Sequence, residues 1–419
     1  MSRIARYKQT ICWLKKRGFE GLRYTVLMLL LVVSSEIYAA ENNIIPALTV
    51  KEEFNDNIYF SVSSPISAYM TVFSPDLDLV SNSETVRILL NAGLDAFIYL
   101  DDKQGQTTAL NHSCRGQFSI KPTPRLDLGS SLAYRVSNQP DQTLEQNSVV
   151  LNSTRRSRQS YAADVGYDFS ELASGKLNYA HVRDEYNNPA LIDTTQHSAG
   201  LRVSYDLSRW LPPAQAIVEV DGAYYTNMNG WTRNLSASAG CNWRFSEIFS
   251  ATGLFGGSYT QSEYNSTETV PAIPPVTRQV TTLSHGTGMV GNLILTRTGE
   301  LTQANLKISH DVTVSAGRSG PTETTVASAD ISYQMTADLS LRASTSYQWD
   351  QASFSQSSGG DFTQETMQFS TGLRYKFSED MNLNANYAYT SLVNRKNGIE
   401  VGRNVIFVGF TWRYPLFER

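Results

Sequence analysis

From about residue 86 to the C-terminus, apolar and polar residues alternate in segment after segment. Leu339, Leu341, Ala343, Thr345, Tyr347 and Trp349 interleave with Ser340, Arg342, Ser344, Ser346, Gln348 and Asp350. Met381 to Tyr389 repeats the pattern, with Leu383, Ala385, Tyr387 and Tyr389 against Asn382, Asn384 and Asn386. A period of two belongs to strands, because successive side chains leave a pleated backbone on opposite faces. Many such strands, one face apolar and the other hydrophilic, suit a cylinder that meets lipid outside and water inside. The expected fold is all-β: a transmembrane antiparallel up-and-down barrel.

The first 39 residues stand apart from this pattern. Arg3, Arg6, Lys8, Lys15, Lys16, Arg17 and Arg23 precede the apolar run Val26–Val33, and Ile37-Tyr38-Ala39 offers a small residue for cleavage. That order describes a secretory signal peptide. A membrane anchor would need about 20 apolar residues in a helix, more than this run supplies. The expected organisation is therefore a signal peptide over 1–39 and one barrel domain over 40–419.

A hydrophobic fraction of 41% and a mean hydropathy of −0.29 resemble those of a water-soluble protein. In a barrel each strand shows lipid only every second residue, so windowed hydropathy averages the two faces away. Removing seven basic and two acidic residues with the signal from totals of 35 and 39 leaves 28 against 37, a net charge near −9. Nucleic-acid binding calls for a concentrated basic surface and is not expected. Cys114 and Cys241 remain, each in phase with apolar neighbours on strands far apart in order, so no disulfide is expected. No spacing suggests a metal site, and no cofactor is expected.

Short turns rich in Ser, Thr, Asp, Glu or Pro (121–124, 169–171, 245–247, 335–338, 377–380) alternate with longer polar loops (138–156, 184–195, 262–284, 317–324, 352–363). In outer-membrane barrels short turns face the periplasm and long loops face outward. Tyr167, Phe169, Tyr205, Trp243, Phe245, Tyr333, Tyr375 and Phe377 sit just before the short turns, where an interfacial girdle would lie. Tyr134, Tyr259, Tyr347, Trp349, Tyr387 and Tyr389 fall near the opposite ends. Counting segments gives about 18 strands, with 16 as the competing count. The first two, 47–60 and 66–80, are interrupted by Pro65 and Pro75. Barrels of this size leave an aqueous channel unless a loop fills it, and loop 262–284, with Pro271, Pro274 and Pro275, is the expected constriction.

The inward phase carries charges that would be costly in a dry core but ordinary in a hydrated lumen. Candidate pore-lining residues are Arg87, Arg115, Arg135, Lys176, Arg202, Arg244, Lys307, Asp311, Asp330, Arg342, Arg374 and Lys376, accompanied by Arg413, Asp95, Asp127, Asp164, Asp168 and Asp206. Their modest basic excess suggests tolerance of anionic solutes. The chain is not expected to be an enzyme. Its five histidines (His112, His181, His197, His285, His310) sit in no nucleophile motif, although His181 and His310 share the lipid-facing phase, where outer-membrane phospholipases place a Ser–His pair. Glu52, Glu53, Asn55, Asp56 and Asn57 form an oxygen-rich cluster. Alternate side chains diverge on a strand, so strand-end solvation is the expected role and calcium binding the lesser alternative.

Gly409, Phe410, Trp412 and Tyr414 place aromatics at alternate positions after a glycine. This resembles the C-terminal signal read by the outer-membrane barrel assembly machinery, although the chain continues through Pro415 to Arg419. Leu48 to Phe60, with its acidic pair, Phe54 and Asn55-Asp56-Asn57, resembles the opening strand of the putative β-barrel porin 2 family, and Gly93 to Leu100 fits that family's third strand. The resemblance implies a barrel in the bacterial outer membrane, in contact with membrane lipid and lipopolysaccharide. The size of the barrel and its hydrophilic lining lead to the expectation of a passive water-filled pore for saccharides or other small polar solutes. The alternative is a non-conducting member of an exopolysaccharide export or anchoring assembly, with polysaccharide export proteins as partners.

Overall fold

The computed structural model describes residues 41–416 apart from 101–107, 138–154, 190, 211–212, 271–275, 315–320, 353–362 and 397. The expected signal peptide, most of loops 138–156 and 352–363, and Pro271, Pro274 and Pro275 lie outside these residues. Eighteen strands follow one another: β1 Glu41–Asn55, β2 Ala68–Asn82, β3 Val86–Tyr99, β4 Thr108–Thr123, β5 Leu126–Ser137, β6 Arg156–Asp168, β7 Ala173–Tyr186, β8 Thr194–Asp206 and β9 Ala214–Asn227. They continue as β10 Gly230–Trp243, β11 Phe249–Val270, β12 Val276–Thr298, β13 Thr302–Val314, β14 Pro321–Gln334, β15 Leu339–Ala352, β16 Thr363–Lys376, β17 Met381–Asn394 and β18 Ile399–Arg413.

Each strand pairs antiparallel with its chain neighbours, and β1 pairs with β18 from Ala47↔Arg413 to Asn55↔Val405, so the sheet closes on itself. Closure removes the edges that lipid could not hydrogen-bond. Directly paired residues share a face, and one phase of the register is consistently apolar and exposed. Leu383, Ala385, Tyr387 and Tyr389 of β17 meet Phe410, Val408, Ile406 and Asn404 of β18, while Asn382, Asn384 and Asn386 point the other way. The first set faces lipid and the second faces the lumen.

The strand that opens the chain and the strand that closes it meet at the same end, where most connections are short. Here the turn hydroxyls act as caps. Ser83, Ser170, Ser246 and Thr336 accept the amides of Val86, Ala173, Phe249 and Leu339 at 3.0–3.1 Å. The Ser and Thr residues of the short turns thus replace missing ladder partners. Outward aromatics cluster at this periplasmic end, with Tyr167–Phe169, Trp243–Phe245 and Tyr375–Phe377 centroids 5.3, 5.8 and 4.8 Å apart.

Three elements depart from the expected boundaries. Strand β1 stops at Asn55, and the next residues turn away from the wall. Pro75 lies within β2, and the β2–β3 ladder skips from Phe73↔Ala96 to Asp76↔Gly93, because proline has no N–H to give. Segment 262–284 is mostly a continuation of β11 and β12, paired as far as Val270↔Val276. Above Tyr264 and Gly291 these two strands pair only with each other.

Val408 faces lipid about midway along β18, whereas Ser346 faces the lumen. Val408→Arg is expected to cost about 2–4 kcal/mol, and Ser346→Arg to cost far less. Reversible urea unfolding of the barrel in phospholipid vesicles measures both.

Candidate functional site

The lumen narrows where Asp56–Ser67, between β1 and β2, folds inward at the extracellular end. The Asp56 carboxylate accepts both the backbone N–H and the side-chain amide of Asn404, at 2.7 and 2.6 Å. Asn57 is shared between wall and loop: its Nδ2 donates to the carbonyls of Gly402 and Ser61 at 3.2 and 3.0 Å, and its Oδ1 accepts the Ser61 amide at 2.9 Å. The Asn55 side-chain oxygen accepts the Asn57 amide at 3.0 Å. The oxygen-rich cluster is thus neither free for solvation nor gathered around a metal position. Asn55, Asp56 and Asn57 pin the turn.

Beyond this pin, Phe60 is fully buried against Leu392 and Val401, with the Arg403 guanidinium 5.2 Å from its ring centroid. Ile58 packs with Ala68, Met70, Val72 and Phe97. These wall residues belong to the lumenal phase of β2, β3, β17 and β18, so the loop lies inside the barrel. Phe60 has φ of 49° and Ser64 of 63°, in the left-handed region that costs a bulky residue of order 1–3 kcal/mol. Burying the Phe60 ring offsets that strain.

A second insert enters from a third of the way round the ring. The β12–β13 ladder ends at Gly291↔His310, and the upper part of the β13–β14 hairpin turns inward. The Asn234 side chain on β10 donates to the Val312 carbonyl at 2.9 Å, reaching past β11 and β12. Between this hairpin and the wall lies a cavity of about 210 Å³ bordered by Glu219, Asp221, Lys307, Ser309, Asp311 and Thr324. Among the described residues, these two inserts reach into the lumen, whereas 262–270 and 276–284 pair with each other as strand.

Arg87, Arg115, Arg135, Lys176, Arg202, Lys307, Asp311, Asp330, Arg342, Arg374 and Lys376 fall on the lumenal phase of the register. Arg244 instead follows the last residue of β10, and its amide donates to the Pro213 carbonyl at 3.0 Å. Lys176 pairs with Asp164 at 3.0 Å, Arg202 pairs with Glu219, and the Arg374 Nε donates to Asn384 at 3.1 Å. Arg156 and Asp184, both buried, pair at 2.9 Å. The lumenal phase also carries Asp76, Asp78, Asp184, Glu219, Asp221 and Asp350, which the sequence reading left out. The same phase carries Lys51, Arg156, Arg158 and Arg403 on the basic side, so charges of both signs line it in comparable number. Gly409 faces the lumen at the β18–β1 seam, where a Cβ would stand 2.9 Å from that of Lys51. Phe410, Trp412 and Tyr414 face lipid.

All five histidines lie on the lipid-facing phase. His181 stacks on Tyr161 at 6.0 Å, and His310 hydrogen-bonds Thr325 at 2.8 Å. Cys114 and Cys241 are exposed free thiols on the same outer surface.

Residues 285–414 match the family model of putative beta-barrel porin 2. The chain is a porin-like β-barrel of the bacterial outer membrane. The family match covers part of β12 and all of β13 to β18, not the opening strands whose residues suggested the family. No curated relative matches the sequence. Similar solved structures include OpdK of Pseudomonas aeruginosa with vanillate, at 10% identity and a TM-score of 0.47, covering 88% of this chain and 99% of that one. OccK2 (OpdF) of the same organism with glucuronate gives 10% and 0.45, covering 89% and 98%. The ferric-catecholate import receptor Fiu of E. coli K12, in a closed form, gives 10% and 0.47, covering 88% and 81%.

Phe60→Ala removes a fully buried ring, a change worth about 3–5 kcal/mol where the surroundings do not collapse. Hydrogen exchange of the Phe60 and Ser61 amides is expected to accelerate by several orders of magnitude, while the ladder amides of β17 and β18 keep their protection.

Proposed function

We propose that this barrel is a non-enzymatic, passive pore for small polar solutes, saccharides among them. The observation that carries the reading is a lumenal face lined by Ser, Thr, Asn, Gln and charges of both signs over most of the height of the strands. Solutes that hydrogen-bond can exchange their water shell for such a wall, and near-balanced charge favours neither ion. The insert at 56–67 and the inward-turned upper ends of β13 and β14 narrow the lumen, so size is the principal criterion for passage.

The two inserts also favour a second reading, in which the barrel stays closed within an exopolysaccharide export or anchoring assembly until a partner displaces them. Single-channel recording of the detergent-folded protein in a planar bilayer separates the two. The pore reading predicts discrete steps proportional to salt concentration, with weak ion selectivity. Persistent silence from folded protein moves the assembly reading to first place.

Arg202→Gln leaves the Glu219 carboxylate without its ion pair and is expected to shift the reversal potential toward cation preference. An unchanged potential would remove this pair from the conduction path.

A further inference from the structure

The outer surface carries an apolar trough of about 640 Å³ across β12 to β16. Its upper border is the outward rung Leu306–Ala329–Thr345–Phe369, and Ala304, Ile331 and Ala343 lie one rung below. Phe245 and Phe249 close the periplasmic end. The trough climbs obliquely from there to Phe369, seven residues above the end of β16. A tilted strand gains roughly 2.5 Å of height per residue, so that climb is about 17 Å, close to half of a ~30 Å hydrocarbon core.

Arg297 lies at the periplasmic mouth. It belongs to the outward phase, next to the last residue of β12, and its guanidinium sits 5.9 Å from the Phe249 ring centroid. The ion pairs formed among the described residues do not include it. A cation on the lipid face is tolerated at the interface, where it can reach a headgroup, and a guanidinium matches phosphate geometry in bidentate fashion.

We propose that this trough is a binding site for an anionic glycerophospholipid of the periplasmic leaflet, one acyl chain along Ala304–Phe369 and the phosphate on Arg297. The charge at the mouth decides the occupant: a second copy of the chain packed here would bury Arg297 against its own apolar surface, whereas a phospholipid brings the complementary charge. The site depends on the outer-membrane setting and not on whether the lumen conducts.

Native mass spectrometry of the full barrel, delipidated and then titrated with dioleoyl phosphatidylglycerol, tests the site. One lipid adduct is expected to survive activation that strips the others. Arg297→Gln should raise the lipid concentration for half occupancy about tenfold, and Ala329→Trp, which fills the trough, should abolish the adduct. Heat-modifiable mobility on gels confirms that each variant is folded. Equal retention by wild type and both variants would overturn the proposal, as would equal retention of dioleoylglycerol, which lacks the phosphate. Oligomer peaks that Ala329→Trp converts to monomer would overturn it in favour of a second copy.

Discussion

Everything in this fold depends on the β1–β18 seam. A peptide group in hydrocarbon has no water to bond, so a sheet in a bilayer must satisfy every edge within itself. The nine paired positions from Ala47↔Arg413 to Asn55↔Val405 achieve this. They also fix which phase of each strand looks inward, because a one-residue slip would turn every side chain to the wrong face. Gly409 lets β18 approach β1 where a larger residue would press on Lys51. Lipid contact outside and hydration inside both follow from this closure.

The narrowing of the lumen follows from the same seam. Strand β1 ends where β18 still has residues to offer; Asp56 keeps one backbone bond to the Asn404 carbonyl, and the side chains of Asp56 and Asn57 take the remaining partners. The chain thereby stays tied to the wall while its direction reverses into the barrel. Phe60 then finds Leu392 and Val401, apolar members of the lumenal phase, which near this end is also apolar at Met70, Val72 and Phe97. A third of the way round the ring, Asn234 holds the β13–β14 hairpin by its Val312 carbonyl. In both cases an asparagine side-chain amide reaches a backbone carbonyl of the wall or hairpin where the ladder has stopped.

The strands were legible because the bilayer imposes one rule on all of them. Alternation located β15 and β17 to the residue, and the Ser and Thr of the short turns marked their capping roles. The inserts were not legible, since nothing local distinguishes a loop that folds inward from one that projects. Segment 262–284 looked like the constriction because of its prolines, yet its flanks pair as strands. Asn55-Asp56-Asn57 stands out in the sequence only as an oxygen cluster, because its partners Gly402 and Asn404 lie more than 340 residues away. The charge balance failed for a similar reason, since Glu219 and Asp221 are lumenal only once the β8–β9 register is known.

The central claim is that one phase of the register meets water along the height of the barrel. Thiol scanning tests it most directly, with single cysteines placed along β17 and β18 after Cys114 and Cys241 are replaced by serine. In proteoliposomes, a water-soluble methanethiosulfonate should modify Asn384→Cys and Asn386→Cys quickly and spare Ala385→Cys and Val408→Cys. Equal labelling of both phases, or protection of both, would contradict a hydrated lumen.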